Sequence, residues 1–334
     1  MANNKQCLVS ILVPIYKVEP FISRCAQSLF EQTYAPLEFI FVNDKSPDQS
    51  IKRLEETIKL YPSRAQSIQI IQNDRNLGSA TTRQIAIEAA QGEYLLFVDS
   101  DDYIKNTMVE KMISASVQDD ADITVCEFYE LYPNLKKRVR LDPLPFDSID
   151  FIRQILTGKQ HAFLWNKLIK KDLFRNNNIH FSEGINMLDD MSVMYKLLYA
   201  ARKINYVREP YYFYNKQNLN SYTTTKLNET SQTGLIKLIN SIDEFINKEQ
   251  LSCLALSFIQ FKINILQTIA RKGDISIIQQ NEPTFLDIQR QHIKHAPIPA
   301  YGKIITYLIY NHHYKLARLF SLVLRLIKRL SLVK

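Results

Sequence analysis

The first hundred residues alternate short apolar runs with amphipathic stretches, and this alternation constrains the fold more than any other feature of the chain. Leu8 to Ile15 is an apolar, β-branched run marked near its end by Pro14. From Val18 to Gln32 the apolar positions Phe21, Ile22, Cys25 and Leu29 recur at helical spacing. Leu37 to Val42 is a second run, and helix resumes from about Gln49 to Tyr61 with Ile51, Leu54 and Ile58 on one face. Ile68 to Gln72 and Tyr94 to Val98 are the third and fourth runs, separated by a helix over Ala80 to Ala90 that Gly92 stops. None of the four alternates strictly between apolar and polar, so each is expected to be buried on both faces. The pattern predicts an α/β fold with a mostly parallel central sheet covered by helices.

In such sheets ligands sit beyond the carboxyl ends of the strands. The residues there are Pro14-Ile15-Tyr16, Asn43-Asp44, Asn73-Asp74 and Asp99-Ser100-Asp101-Asp102. If the last segment stays extended, Asp99 and Asp101 point the same way and can grip one metal ion held by a nucleotide. Carboxylates with positions left for phosphate and water suit Mg²⁺ or Mn²⁺ better than zinc. Arg83, in the helix between the third and fourth strands, is in reach of a diphosphate or a carboxylate in this crevice, or is a solvated helix arginine. Asp44 either accepts a hydrogen bond from a base or ribose, or caps the next helix or an Asx-turn.

Beyond Asp120 the pattern is mixed. Ile123 to Tyr129 reads as a strand, and Pro133 to Pro145 as a basic, proline-marked excursion. Helical segments follow near Ser148 to Leu156, Lys170 to Asn176 and Asp189 to Ala201, with short strands at Tyr206 to Arg208 and Tyr211 to Tyr214 around Pro210. After Asn218 the chain reads as helical. The expected organisation is a domain over 1–217, with a nucleotide-binding half (1–115) and an acceptor half (116–217), then a helical C-terminal region over 218–334.

Charge is unevenly spread. The net +8 arises at the C-terminus, where no acidic residue follows Asp287 but nine Lys and Arg do. On a helix from Tyr314 to Lys334, Lys315, Arg318, Arg325, Lys328 and Arg329 gather on one arc. Leu316, Leu319, Phe320, Val323, Ile327, Leu330 and Val333 cover much of the rest. Such a helix either lies on an anionic membrane surface or packs on protein with a solvated basic face. The four cysteines have no metal or redox spacing and read as reduced thiols, and the N-terminus lacks a secretory pattern. No run of about 18 apolar residues suggests a membrane-spanning helix. A cytoplasmic protein, peripheral on the membrane at most, is expected. His292 and His295 are three apart but no carboxylate accompanies them as a ligand set. Nucleic acid is not an expected partner, because the cations lie on an apolar-faced tail instead of interleaving with aromatics on a sheet.

The motifs as a set resemble the family 2 inverting glycosyltransferases. The resemblance rests on Val9 to Tyr16, Ser28 to Tyr34, Phe41 to Ser46, Asn76 to Arg83 and Gly92 to Asp102, five blocks in order. It implies the GT-A fold, a nucleoside-diphosphate sugar donor and inversion at the anomeric carbon. It also implies that Pro14, Ile15, Tyr16, Glu19, Asp44, Arg83, Asp99 and Ser100 line the donor site, with Asp101, aided by Asp99, on the metal. Thr82 and Gln84 depart from the family's Ala-Arg-Asn pattern around Arg83, and Asn43 stands where an aspartate is more usual.

The second half resembles the family less tightly, through Leu164-Trp165-Asn166-Lys167-Leu168, Phe181 to Gly184 and the pair Asp189-Asp190. The resemblance makes that pair the catalytic one, Asp190 serving as general base, in place of the usual Glu-Asp. Read alone, two aspartates before a helix are an N-cap and a first-turn acid. Trp165 is a candidate for stacking on an acceptor sugar and Lys167 for touching phosphates; core and solvated roles are the alternatives. The resemblance also implies the acceptor, a saccharide or lipid-linked saccharide of a bacterial surface polysaccharide. A nucleotidyltransferase using the same crevice is the competing activity, attack then falling on phosphorus.

Overall fold

The computed structural model describes residues 6–142, 144–145, 147–218 and 227–331, with side chains described as far as 324. It divides into two compact units. The first takes in Met1–Ser148, Ala162–Glu183 and Asp189–Ser221; the second takes in Ile149–His161, Gly184–Leu188 and Tyr222–Lys334.

The first unit is built on a nine-stranded mixed sheet. Strands β1 (Val9–Ile15), β2 (Leu37–Asn43), β3 (Ile68–Gln72) and β4 (Tyr94–Phe97) run parallel in the order β3-β2-β1-β4. Val9, Ile11, Leu12 and Val13 are fully buried, as are Phe39 and Phe41, so the run of apolar residues is the core itself. Between these strands lie α1 (Ile22–Phe30), α2 (Ser50–Ile58) and α3 (Ser79–Ala89). The Phe30 ring meets Phe39 edge-on at 5.2 Å, locking α1 to the sheet. Gly92 precedes β4 where a Cβ would lie 2.4 Å from Ser10 Oγ and 2.7 Å from the Ser10 nitrogen, so only glycine fits there.

Pairing then changes direction. The elements along the chain are β5 (Tyr103–Ile104), α4 (Met108–Asp119), β6 (Ile123–Tyr132), β7 (Leu135–Val139), α5 (Ser148–Thr157), which but for Ser148 belongs to the second unit, β8 (Lys167–Lys170), α6 (Lys171–Asn176), α7 (Asp189–Ala200) and β9 (Ile204–Asn215). β8 lies antiparallel between β4 and β6, and β9 runs parallel to β6 and antiparallel to β5. The proline-marked basic excursion is a hairpin, β6 pairing with β7 from Tyr132–Leu135 outward. The two short strands expected around Pro210 are one strand. Its register shifts beside Glu127, opposite Pro210, and this bulge accommodates a residue with no N–H to give the ladder.

The second unit holds α8 (Glu229–Lys248), α9 (Ala255–Lys272), α10 (Ser276–Gln280), α11 (Arg290–His295), α12 (Ala300–Tyr310) and α13 (Tyr314–Ser331). Contrary to the expectation from apolar runs, Ser252–Lys272 is long and apolar enough to cross a membrane, with a mean hydropathy of 1.4. Yet its most apolar 18 residues are 67% buried, and α9 packs on α8, α11, α12 and α13, as a core helix does. Arg325, Ile327, Lys328, Arg329, Leu330 and Val333, which the tail pattern also counts, have side chains outside the described residues.

Candidate active site

Parallel pairing brings the ends of β1, β2 and β4 to one edge of the sheet. Ile15 pairs with Asn43 and Leu12 with Phe97, so Tyr16, Asp44 and Asp99 each leave the sheet on the same side. Pro14 sits within β1 opposite Val42, Ile15 is fully buried, and Tyr16 is exposed with the Lys17 ammonium 5.1 Å from its ring centre.

The loops after β1 and β2 are tied by a residue that motif reading passed over. Asp48 Oδ1 accepts from Ser46 Oγ at 2.6 Å and from the Ser50 nitrogen and hydroxyl, while Oδ2 accepts from the Glu19 nitrogen at 3.1 Å. Burial pushes this carboxyl up, but the hydrogen bonds outweigh it and hold the group below the usual range. The Glu19 carboxylate in turn accepts from the Gln49 nitrogen. Asp44 is committed similarly: Oδ1 accepts from Asn73 Nδ2 and the Leu77 nitrogen, and Oδ2 from the Gly78 nitrogen at 2.8 Å. Both of its oxygens therefore hold the loop that enters α3, and the position of that helix follows from them.

α3 delivers Arg83 into the centre of the site, where it is 7% exposed. Its guanidinium donates to Asp99 Oδ1 at 2.6 Å and to Asp189 Oδ2, and approaches Asp190 Oδ1 at 3.7 Å. One arginine thus joins the turn after β4 to the first turn of α7. Burial alone would lower its pKa, but the three carboxylates outweigh burial and hold it fully charged. Its Nε and Asp190 Oδ1 are buried without a hydrogen-bond partner among the described residues.

The turn Asp99-Ser100-Asp101-Asp102 has three carboxylates in three different settings. Asp102 is fully buried and belongs to the fold, accepting from Tyr212 Oη at 2.7 Å and from the Asn215 nitrogen at 2.6 Å. Burial, then the charges of Asp101 and Asp99, drive its pKa well up. Asp101 accepts from Asn218 Nδ2 at 2.8 Å, and burial followed by the Asp99 charge pushes it up to about 6. Ser100 is buried between them. Tyr212, Asn215 and Asn218 lie more than a hundred residues along the chain from the turn they anchor, so no local pattern could have found them.

Asp190 opens α7 beside Asp189. Burial raises its proton affinity, Arg83 opposes this, and the Asp189 charge adds to it, leaving the group at about 7. Its Oδ2 accepts only weakly, from the Leu164 nitrogen at 3.4 Å.

Two residues expected to meet an acceptor are elsewhere. Trp165 is 2% exposed, with Tyr212 stacked at 4.2 Å, Phe163 stacked at 4.6 Å and Phe128 edge-on at 4.7 Å. Its indole is filled by neighbours and has no face for a sugar; it belongs to the core. Lys167 is fully buried, its ammonium donating to the Phe163 carbonyl at 2.6 Å and Asn166 Oδ1 at 2.8 Å. Burial lowers it to about 7, with Asp190 opposing the shift. Its ammonium is thus held in the interior on carbonyl oxygens. Among the described residues no three His, Cys, Asp or Glu side chains converge as a metal-ligand set, so a cation would depend on oxygens from elsewhere, such as a diphosphate.

The sequence profile described as glycosyl transferase family 2 matches residues 10–178. Glycosyltransferase EpsJ of Bacillus subtilis strain 168, described as uncharacterized, is 33% identical over 224 residues, covering 65% of this chain and 63% of EpsJ. A poly(ribitol-phosphate) beta-glucosyltransferase of Bacillus spizizenii is 31% identical over 211 residues, 62% of this chain and 32% of that protein. The chain thus spans less than two thirds of the length of these relatives. Among solved structures, residues 1–349 of S. aureus TarS in complex with UDP-GlcNAc superpose with a TM-score of 0.66 at 17% identity, over 95% of this chain and 91% of that one. That likeness identifies the GT-A-type fold. With half of its residues matched by the family profile on a sheet of that type, the chain belongs to glycosyl transferase family 2.

Proposed function

We propose that this glycosyltransferase moves a hexosyl group from a UDP-sugar to a saccharide or lipid-linked saccharide acceptor, with inversion. The observation that carries the reading is the Arg83 bridge. It couples Asp99, in the turn expected to meet the donor, to Asp189 and Asp190 on α7. The UDP-GlcNAc complex of TarS and the glucosyl transfer in the name of the B. spizizenii relative support the choice of donor and sugar class.

In this reading Asp190 takes the proton of the acceptor hydroxyl. The acceptor oxygen bonds to the anomeric carbon as the bond to the diphosphate oxygen breaks, and the nucleoside diphosphate leaves with the electron pair. A group with a pKa of about 7 is well matched to such a transfer near neutral pH. Arg83 holds Asp189 and Asp99 while leaving Asp190 without a close hydrogen bond to it. Asp101 and Asp99 offer oxygen donors only, which fits Mg²⁺ or Mn²⁺. Such an ion, when bound, neutralises the diphosphate of the leaving group. Asp44 and Asp48 keep the surrounding loops in place before the donor arrives.

Thermal-shift titration with UDP- and GDP-sugars, with and without Mn²⁺, tests the donor half. The expected result is stabilisation by a UDP-sugar that grows with Mn²⁺ and is lost in Asp101→Asn. Stabilisation by none of the nucleotide-sugars would refute the proposal.

A further inference from the structure

Part of the apolar side of α13 stays in water: among its described side chains Phe320 and Leu324 are half-buried, but four other large apolar ones are exposed. Its buried edge is the small pair Ala317 and Ser321, the Ser321 hydroxyl donating to the Ala270 carbonyl of α9. With residues about 100° apart around a helix, Leu319 lies on the far side from that edge. Leu316 and Leu319 are 54% and 60% exposed, and Leu322 and Val323 are 47% and 43% exposed. A soluble domain rarely leaves so many neighbouring large apolar side chains in water without a use for them. Lys315 lies among them and Arg318 beside them; both are exposed, Arg318 3.6 Å from Asp274 Oδ2.

A second feature of the same unit has the same character. Between α11 and α12 lies a groove of about 690 Å³ whose apolar lining includes Ile304 and Tyr307, with Arg290, Lys294 and Lys303 around it. The Arg290 guanidinium lies 5.5 Å from the Tyr307 ring centre, and the Lys303 ammonium donates to the Lys294 carbonyl.

We infer that α11, α12 and α13 form a docking surface for an anionic lipid bilayer, the α13 leucines entering the headgroup boundary and the cations meeting lipid phosphates. Charge complementarity selects this occupant. From residue 288 onward the sequence carries nine cations and no acidic residue; Asp274 approaches Arg318 at 3.6 Å, but the cations remain in excess, so a second copy of this surface would meet it with largely like charge. A nucleic acid would satisfy the cations but give the leucines nothing to enter. A bilayer with anionic headgroups supplies both partners. The inference does not depend on the transfer chemistry, and its test uses neither donor nor acceptor.

Co-sedimentation of the full chain with phosphatidylcholine vesicles, with and without phosphatidylglycerol, tests it. Binding is expected only when phosphatidylglycerol is present, and is expected to weaken as salt is raised. The exposed double variant Leu316→Ser/Leu319→Ser should bind about tenfold more weakly or worse. Lys294→Glu and Lys315→Glu should each weaken it about fivefold or more. Circular dichroism would verify that each variant is folded. No binding to either vesicle, equal binding to both, or a concentration-dependent dimer dissolved by the leucine substitutions without vesicle binding would overturn the inference.

Discussion

The turn after β4 and the start of α7 are both acidic, yet they are built in opposite ways. In the turn, Asp102 is taken up by Tyr212 and Asn215, Asp101 by Asn218 and Asp99 by Arg83. On α7, Asp189 is engaged by Arg83, while Asp190 has one buried oxygen with no hydrogen-bond partner among the described residues and one weak contact. Burial raises the proton affinity of Asp101, Asp102 and Asp190 alike, so what separates Asp190 is that its oxygens are not committed to close donors and one is free to meet an incoming hydroxyl. The difference separates a scaffold that grips from a group available to react, although both are made of aspartate.

Breaking the link between the two regions should have the largest effect on folding. Arg83→Met leaves Asp99, Asp189 and Asp190 without their shared cation, and stability should fall by about 3–5 kcal/mol, read as a lower urea midpoint. Retention of wild-type stability would mean that the two acidic groups do not depend on one another. Asp102→Asn tests the scaffold side alone. Asparagine puts an amide NH₂ where one oxygen accepts from Tyr212 or Asn215, and losing that bond should cost about 1–3 kcal/mol, with donor binding weakened only through the position of the turn.

A pH profile sharpens the α7 side with the smallest perturbation. Because Asp190 is held at about 7, above its ordinary value, its ionised form accumulates as pH rises through that point. Transfer should therefore rise about tenfold per pH unit below 7 and level off above it. The same shift makes Asp190 bind its proton more tightly in the folded than in the unfolded chain. Its contribution to stability should thus decline as pH climbs from the ordinary carboxylate range to about 7. A rate flat between pH 5 and 8 would point to a base other than Asp190.

How much of this the sequence reveals follows from what decides each element. The runs at Leu8 to Ile15, Leu37 to Val42 and Ile68 to Gln72 lie within a residue of β1, β2 and β3. β1 and β2, buried on both faces, leave an unbroken apolar signature, whereas β3 is the edge strand, with Gln69 and Gln72 exposed, and departs from the expected burial on both faces. The turn at Asp99 is legible for the same reason, being where such a run stops. β8 and β9 are less so. β8 has four residues and exists through its antiparallel partners β4 and β6, while the bulge opposite Glu127 makes Pro210 look like an end of β9. Trp165 and Lys167 illustrate the same limit in the site. Trp165 is enclosed by Tyr212 and Phe128, which are distant in sequence, and for Lys167 residue type alone favours a surface role. Asp44 and Arg83 fall between these cases: their place at the sheet edge is readable, but the backbone amides and carboxylates they engage are not.

The central claim, that gripping and proton transfer are divided between these two acidic regions, is tested most directly by Asp190→Asn. Donor affinity and single-turnover transfer would be measured on the same preparation. The account predicts donor binding equal to wild type with transfer reduced by about 10²–10⁴-fold. Transfer at the wild-type rate, with donor binding intact, would contradict it.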